Sequence, residues 1–192
     1  STDLISNPSK EMDKDYLSRI GCLLYLAQGS RPDISFVVNF LARFSMAPDQ
    51  SHWNALEHLI SYIRYSSHLT LPIISSGDCL DCIKTYVDAN WGGEGWRSVH
   101  GFILTVWGAP ISWASKRQSC VARSTCQAEY MALSFASKDA CFIRSLLSGF
   151  FPVLPPTILS DNKAAVYIAK DCGTRKEHRH IDREFHVINE LL

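Results

Sequence analysis

The chain has 192 residues, room for one full domain and part of a second at the usual size of about 100–200 residues each. Nineteen Lys and Arg balance nineteen Asp and Glu, and residues are 46% hydrophobic and 20% charged, which excludes a disordered chain and a globally basic nucleic-acid binder but not a local basic patch. No apolar run reaches the roughly 18 residues of a membrane span, and the polar, mixed-charge opening over residues 1–15 predicts no signal peptide.

Residues 15–65 carry a helical apolar period. Ile20, Leu23, Leu24 and Ala27 form one stripe. Ile34, Val37, Val38, Leu41 and Phe44 form a second, and Leu56, Leu59, Ile60 and Ile63 a third. Arg31-Pro32-Asp33 separates the first two and suits a helix start, and Pro48-Asp49-Gln50-Ser51 precedes the third. Three helices are expected within residues 1–66, then a Ser-rich connector over 67–82 holding Pro72 and Gly77. From 83 to 192 the pattern predicts a separate domain. Strands are expected at 83–88, 101–107 and 111–115, rich in Ile, Val, Phe and Trp. Gly108-Ala109-Pro110 reads as a hairpin turn, and the loop over 90–100 holds three Gly. Ser124 or Thr125 caps a long helix with an apolar face of Ala128, Met131, Ala132, Phe135, Phe142, Ile143, Leu146 and Leu147. Pro152, Pro155 and Pro156 end it. A short buried strand over 157–160, a helix over 162–170 and a last helix over 179–192 complete the order. The fold class is α/β, a mixed sheet with flanking helices preceded by a small helical segment.

Seven Cys without a framework of spacings predict reduced thiols in an intracellular protein. Cys79-Leu80-Asp81-Cys82 is a single CxxC, and a structural zinc site takes four ligands, usually from two such pairs. His178, His180 and His186 have no Cys pair beside them and read as part of a mixed-charge surface helix.

Three acids stand out by position: Asp88 ends the first strand of the sheet, Asp161 ends the fourth, and Glu129 lies in the first turns of the long helix. Ligands gather at the carboxyl ends of strands in α/β sheets. If the first and fourth strands are parallel neighbours, Asp88 and Asp161 end side by side, and a helix packed over that edge adds Glu129. Three carboxylates without a basic partner repel each other and make sense around hard cations such as Mg²⁺. Two such ions about 3.5–4 Å apart form a clamp for in-line phosphoryl transfer. Singly, each acid has a plainer role, as a turn residue or as a complement to the helix dipole.

The strings around these acids resemble the ribonuclease H region of copia-type retrotransposon polyproteins. Tyr86-Val87-Asp88-Ala89-Asn90-Trp91 resembles that family's YVDADW, and Arg97-Ser98 with Gly101-Phe102 its RKSTSGY. Ile111-Ser112-Trp113-Ala114-Ser115-Lys116-Arg117-Gln118 resembles ISWSSKKQ, and Ala128-Glu129-Tyr130-Met131-Ala132-Leu133 resembles AEYMAL. Asp161-Asn162 matches its DN and His180-Ile181-Asp182 its HID. Upstream, Tyr16-Leu17-Ser18-Arg19-Ile20-Gly21-Cys22-Leu23-Leu24-Tyr25-Leu26, Arg31-Pro32-Asp33-Ile34-Ser35-Phe36 and His52-Trp53 resemble the end of the family's reverse transcriptase.

The resemblance implies a ribonuclease H fold, with Asp88, Glu129 and Asp161 as catalytic residues and ligands of two Mg²⁺ ions, Mn²⁺ being an alternative. It implies hydrolysis of the RNA strand of an RNA–DNA hybrid by in-line attack of a metal-activated water, leaving a 5′-phosphate. RNA would be told from DNA by its 2′-hydroxyl. Lys116, Arg117, Arg123 and Asn162 are the expected nucleic-acid contacts. For the three basic residues a solvated strand edge is the competing reading. Trp91 and Trp96 are candidates to stack on bases or sugars, whereas Trp113 suits the core. The rest of the reverse transcriptase polyprotein is the expected partner, inside the cell and away from membranes. Nothing here resembles a YVDD polymerase site, so no polymerase activity is expected.

Several positions depart from the family's pattern. Asn90 replaces its second acid, and Cys126 and Gln127 replace Thr and Glu, which is expected to weaken the helix start. His100 stands where the family has Ser and receives no role. In the family a further strand and helix follow HID and carry a fourth acid, and this sequence ends at Leu192 before them. Asp182 is the nearby acid, either a fourth metal ligand or a helix partner of His178 or His186. The leading reading is an active nuclease. The alternative is a truncated remnant keeping the fold and hybrid binding, while another carboxylate nuclease, such as an integrase or junction resolvase, fits the motif order less well. The helical stripes and Trp53 are expected to expose a sticky face that once packed on the polymerase.

Overall fold

The computed structural model describes residues 8–73, 82–92 and 97–170, and the chain divides into two units between Leu71 and Pro72. In the first, the apolar stripes become α1 (Pro8–Gly29), a 3₁₀ turn (Pro32–Ile34), α2 (Ser35–Ala42) and α3 (Gln50–Tyr65). Tyr16, Ile20, Leu23, Ala27, Ile34, Val38, Leu41, Leu56 and Leu59 are buried together. Tyr16 is fully enclosed. Its hydroxyl donates to the Leu41 carbonyl at 3.1 Å, and its ring meets that of Trp53 edge-on at 5.2 Å. Of the expected sticky face, Trp53 and most stripe residues pack on one another within the unit, because each helix covers its neighbours' apolar side, whereas Val37 and its neighbour Phe36 are exposed.

One buried cation ties the start of the 3₁₀ turn to the end of α3. Arg31 donates from Nε and Nη2 to the Asp33 carboxylate at 2.9 and 2.7 Å. It also donates to Oγ and the carbonyl of Ser66, just past α3. The guanidinium holds the Asp33 carboxyl below the usual carboxylate range, against the opposing effect of burial. α3 starts on Asp49, whose carboxylate accepts from the backbone N–H groups of Ser51 and His52 while His52 Nδ1 accepts from Asp49 N–H.

The second unit is built on a four-stranded mixed sheet of order β3-β2-β1-β4. β1 (Ile83–Asn90) and β2 (Val99–Val106) are antiparallel over their whole length, from Ile83 opposite Val106 to Asn90 opposite Val99. The loop expected over 90–100 is thus shorter, because both strands keep their inward–outward alternation to those ends. The hairpin turn is Trp107-Gly108, with φ of +50° and +85°, rather than Gly108-Ala109-Pro110. Two positive φ values match the twist of a two-residue hairpin. Ala109 and Pro110 belong to β3 (Ala109–Arg117). Pro110 is tolerated there because β3 is an edge strand and the ladder slips at this point, between Leu104 and Thr105.

α4 (Thr125–Ser148) lies against β1 and β2. Its buried stripe includes Ala128, Ala132, Ala136 and Ala140, and these small side chains let the helix axis approach the sheet. Phe142 and Leu146, expected on the apolar face, are 67% and 53% exposed; in these last turns Ala140, Ile143 and Leu147 form the packed side, and Phe142 and Leu146 point away from it. β4 (Thr157–Leu159) pairs parallel to β1, and α5 (Lys163–Lys170) adds Ala165 and Ala169 to the core. The helix expected over 179–192 lies outside the described residues. Among those described, no helix is long and apolar enough to cross a membrane.

Two outcomes follow from this packing. Leu104 is fully buried at the centre of the sheet core, so Leu104→Ala should lower unfolding stability by about 2–5 kcal/mol in urea titrations. The Asp33 carboxyl titrates lower folded than unfolded, so its pairing with Arg31 stabilises the chain above the unfolded value of about 3.9. That contribution is lost as pH falls through the folded value. Asp33→Asn should flatten the acid-side fall in helical-unit stability, read by circular dichroism at successive pH values.

Candidate metal centre

Strand register is what assembles the acids. The β1–β4 ladder runs from Lys84 opposite Thr157 to Tyr86 opposite Leu159. Asp88, still inside β1, and Asp161, two residues past the end of β4, each come two residues after the last pair, so they reach the same edge. α4 brings Glu129 to the same edge. Carboxylate oxygens of Asp88, Glu129 and Asp161 lie within 4.8 Å of one another.

The three are not equivalent. Asp88 and Asp161 are exposed, whereas Glu129 is buried. Glu129 Oε1 accepts from the backbone N–H of Ala89 at 3.2 Å, and Oε2 has no hydrogen-bond partner among the described residues. Burial pushes the Glu129 carboxyl above its ordinary value, the Ala89 N–H opposes this, and the charges of Asp88 and Asp161 raise it further. A buried acceptor without a partner costs about 1–3 kcal/mol, more when charged. A hard divalent cation held by these oxygens would remove both the burial penalty and the mutual repulsion. The donor set, all carboxylate oxygen, suits Mg²⁺, Mn²⁺ or Ca²⁺ and lacks the nitrogen and sulfur of a structural zinc site.

The supports of Glu129 are local. Ser124 caps α4, its Oγ accepting from Gln127 N–H at 3.1 Å, and Gln127 Oε1 accepts from Arg123 N–H at 2.8 Å. Gln127, expected to weaken this start, thus accepts from the N–H of the residue before the cap and not from that of Ser124 itself. Gln118 Nε2 donates to the Ala128 carbonyl at 2.8 Å, one residue before the acid. Trp91 Nε1 donates to the Ala122 carbonyl at 3.0 Å, pinning the chain that leaves β1 to the segment ahead of α4.

Other predicted contacts take varied places. Lys116 and Arg117 are consecutive on β3, so their side chains leave opposite faces. Lys116 Nζ lies 5.5 Å from the Phe135 ring centroid, on the side of α4. Arg123 is exposed just before the cap. Asn162 caps α5 through Oδ1, which accepts from Ala165 N–H at 3.0 Å. Trp113 is half-buried. Asp182, Trp96, His178, His180 and His186 lie outside the described residues. One residue that received no role acquires a setting: His100 is buried on the inward parity of β2, with Phe102, Leu104 and Val106. That parity was its signal, a polar ring at a core position.

No protein-family model matches the chain. Among curated proteins it is 34% identical over 182 residues to the retrovirus-related Pol polyprotein from transposon RE2 of Arabidopsis thaliana, covering 93% of this chain and 12% of that one. It is 31% identical over 186 residues to the Pol polyprotein from transposon TNT 1-94 of Nicotiana tabacum, covering 92% and 13%. The chain thus spans about an eighth of the length of these polyproteins. It is also 35% identical over 130 residues to secreted RxLR effector protein 161 of Plasmopara viticola, covering 67% of this chain and 90% of that one. A solved structure of LC11-RNase H1 in complex with an RNA/DNA hybrid overlays with a TM-score of 0.44 at 18% identity, over 57% of this chain and 75% of that one.

The raised Glu129 carboxyl carries a stability consequence. A carboxyl whose folded pKa lies above the unfolded one opposes folding at neutral pH, the loss growing as pH rises from the unfolded value, about 4.3 for Glu. Without divalent cations, Glu129→Gln should match or exceed the native chain in stability at neutral pH, by up to about 2 kcal/mol. The gain should shrink at acid pH, as read by denaturant unfolding in a chelator.

Proposed function

The chain belongs to the family of copia-type retrotransposon Pol polyproteins, and from that premise we propose that its second unit is a ribonuclease H domain hydrolysing the RNA strand of RNA–DNA hybrids. The observation that carries this reading is the convergence of Asp88, Glu129 and Asp161 at the carboxyl end of the parallel strand pair. The first unit is read as the helical end of the adjoining reverse transcriptase, without a polymerase site of its own.

In this reading Asp88, Glu129 and Asp161 hold two Mg²⁺ ions, or Mn²⁺ in their place, and Asp182 is the candidate for a further oxygen ligand. When bound, the cations supply charge neutralisation at the scissile phosphate and lower the pKa of the attacking water. Asp88 and Asp161, both exposed, present their oxygens to the side a nucleic-acid strand can reach. Glu129 is held by the Ala89 N–H, so its second oxygen keeps one position. Lys116, Arg117 and Arg123 would meet backbone phosphates and set the register of the hybrid. Asn162 would add its amide NH₂. Trp91, half exposed and pinned through its indole N–H, would offer a ring face to a base or sugar.

A labelled RNA–DNA hybrid with Mg²⁺ tests the proposal. The native chain should cut the RNA strand to 5′-phosphate products, and chelation, Asp88→Asn or Asp161→Asn should reduce cutting to the rate without protein. A hybrid bound but left uncut by the native chain would refute catalysis and identify a remnant that keeps binding. Equal cutting of single-stranded RNA would refute the hybrid as substrate.

A further inference from the structure

A cavity of about 170 Å³ opens between the β2–β3 edge and α4, lined by His100, Gln118, Ser119, Ser134, Phe135 and Lys138 among others. Its polar lining is under-partnered. His100 Nδ1 and Nε2, Gln118 Oε1 and Ser134 Oγ are buried and make no hydrogen bond among the described residues. These three residues are 8%, 2% and 1% exposed. Buried polar atoms without a partner are a small minority in native proteins. Four of them from three residues that line one cavity indicate a polar guest. The space exceeds that of a single water, about 30 Å³.

The lining also states the guest's charge. Lys138 stands on the wall, and Lys116 is the cross-strand neighbour of His100, with its ammonium group near Phe135. Among the described residues, no carboxylate lines the cavity. We infer that this cavity is an anion site for a phosphate group, carried by a nucleic-acid backbone or by a free nucleotide or phosphate ion. Its oxygens accept from the Ser134 hydroxyl, an imidazole N–H of His100 and the lysines. A hydroxyl on the guest, on phosphorus or on a neighbouring sugar, donates to Gln118 Oε1. Gln118 is held for this by its Nε2 bond to the Ala128 carbonyl, and His100 by the Phe135 ring, with centroids 4.3 Å apart.

The empty pocket disfavours a charged ring. Burial, and then the charge of Lys116, push His100 down to about 4, so at neutral pH it offers one N–H donor and one bare nitrogen. A bound anion between His100 and the two lysines would move that titration upward. The site also lies close to the acids, since His100 pairs with Ala89, whose N–H anchors Glu129.

Long-range proton–nitrogen NMR of the histidine rings in the full chain tests this, with His100→Gln assigning the signal. Inorganic phosphate, titrated against chloride at constant ionic strength, should shift the His100 ring saturably at ~1–10 mM and raise its titration point from about 4. Ser134→Ala and Lys138→Gln should each weaken phosphate about tenfold, the loss of one charge-assisted hydrogen bond. Lys138 is exposed, so its variant carries the test should Ser134→Ala fail to fold. An RNA–DNA hybrid added to Asp88→Asn protein separates the sources. Displacement of phosphate by the hybrid identifies the backbone as guest, and phosphate retained beside bound hybrid identifies the free ion or nucleotide. No shift with phosphate, or the same shift with chloride, overturns the inference whatever the cleavage assay shows.

Discussion

The parallel ladder between β1 and β4 spans three residue pairs, and the arrangement of the acids depends on it. Parallel neighbours need a crossover connection, here β2, β3 and α4 together. Closing that long connection costs chain entropy before any contact is gained. The ladder also forces Asp88 beside Asp161, and α4 then adds a third carboxylate whose own burial opposes its charge. The sheet core and the alanine stripe of α4 therefore have to outweigh a local repulsion.

Two regions of opposite electrical character share α4. One turn presents Glu129 to the exposed aspartates, and the following turns present Ser134 and Lys138 to the cavity beside His100. A net charge of zero describes their sum and hides both. Gln118 serves the two at once, fixing the carbonyl that precedes Glu129 with its amide nitrogen and facing the cavity with its oxygen.

Much of this was legible in the residues. Helical stripes, strand alternation and the order of elements follow from apolar periods that local structure must obey, and the acids were conspicuous because strand ends and first helical turns are recognisable positions. What escaped depended on tertiary context. Asn90, Val99 and His100 read as loop because they flank a Gly-rich polar run and resemble it until a partner strand pairs with them. Gly108-Ala109-Pro110 resembles a turn because Pro marks turns. The ladder slip that lets Pro110 sit in an edge strand has no trace in composition. That Trp53 and most of the stripes are covered by helices of their own unit, while Val37 is not, is a matter of packing that the apolar period alone does not state. His100 stayed without a role because its two unpartnered nitrogens are a property of the enclosed ring, not of the residue type.

The alanine stripe of α4 makes the distance between helix and sheet a matter of side-chain volume. Each of Ala128, Ala132, Ala136 and Ala140 acts as a spacer of minimum thickness, and a single branched replacement would wedge the helix outward. Glu129 rides on that helix, whereas Asp88 and Asp161 ride on the sheet. A conservative apolar change two turns from any acid would therefore open the triangle of carboxylates without touching one of them. In a lineage accumulating random substitutions, loss of chemistry is thus expected to begin at unremarkable hydrophobic positions, while the acidic motifs still read as intact.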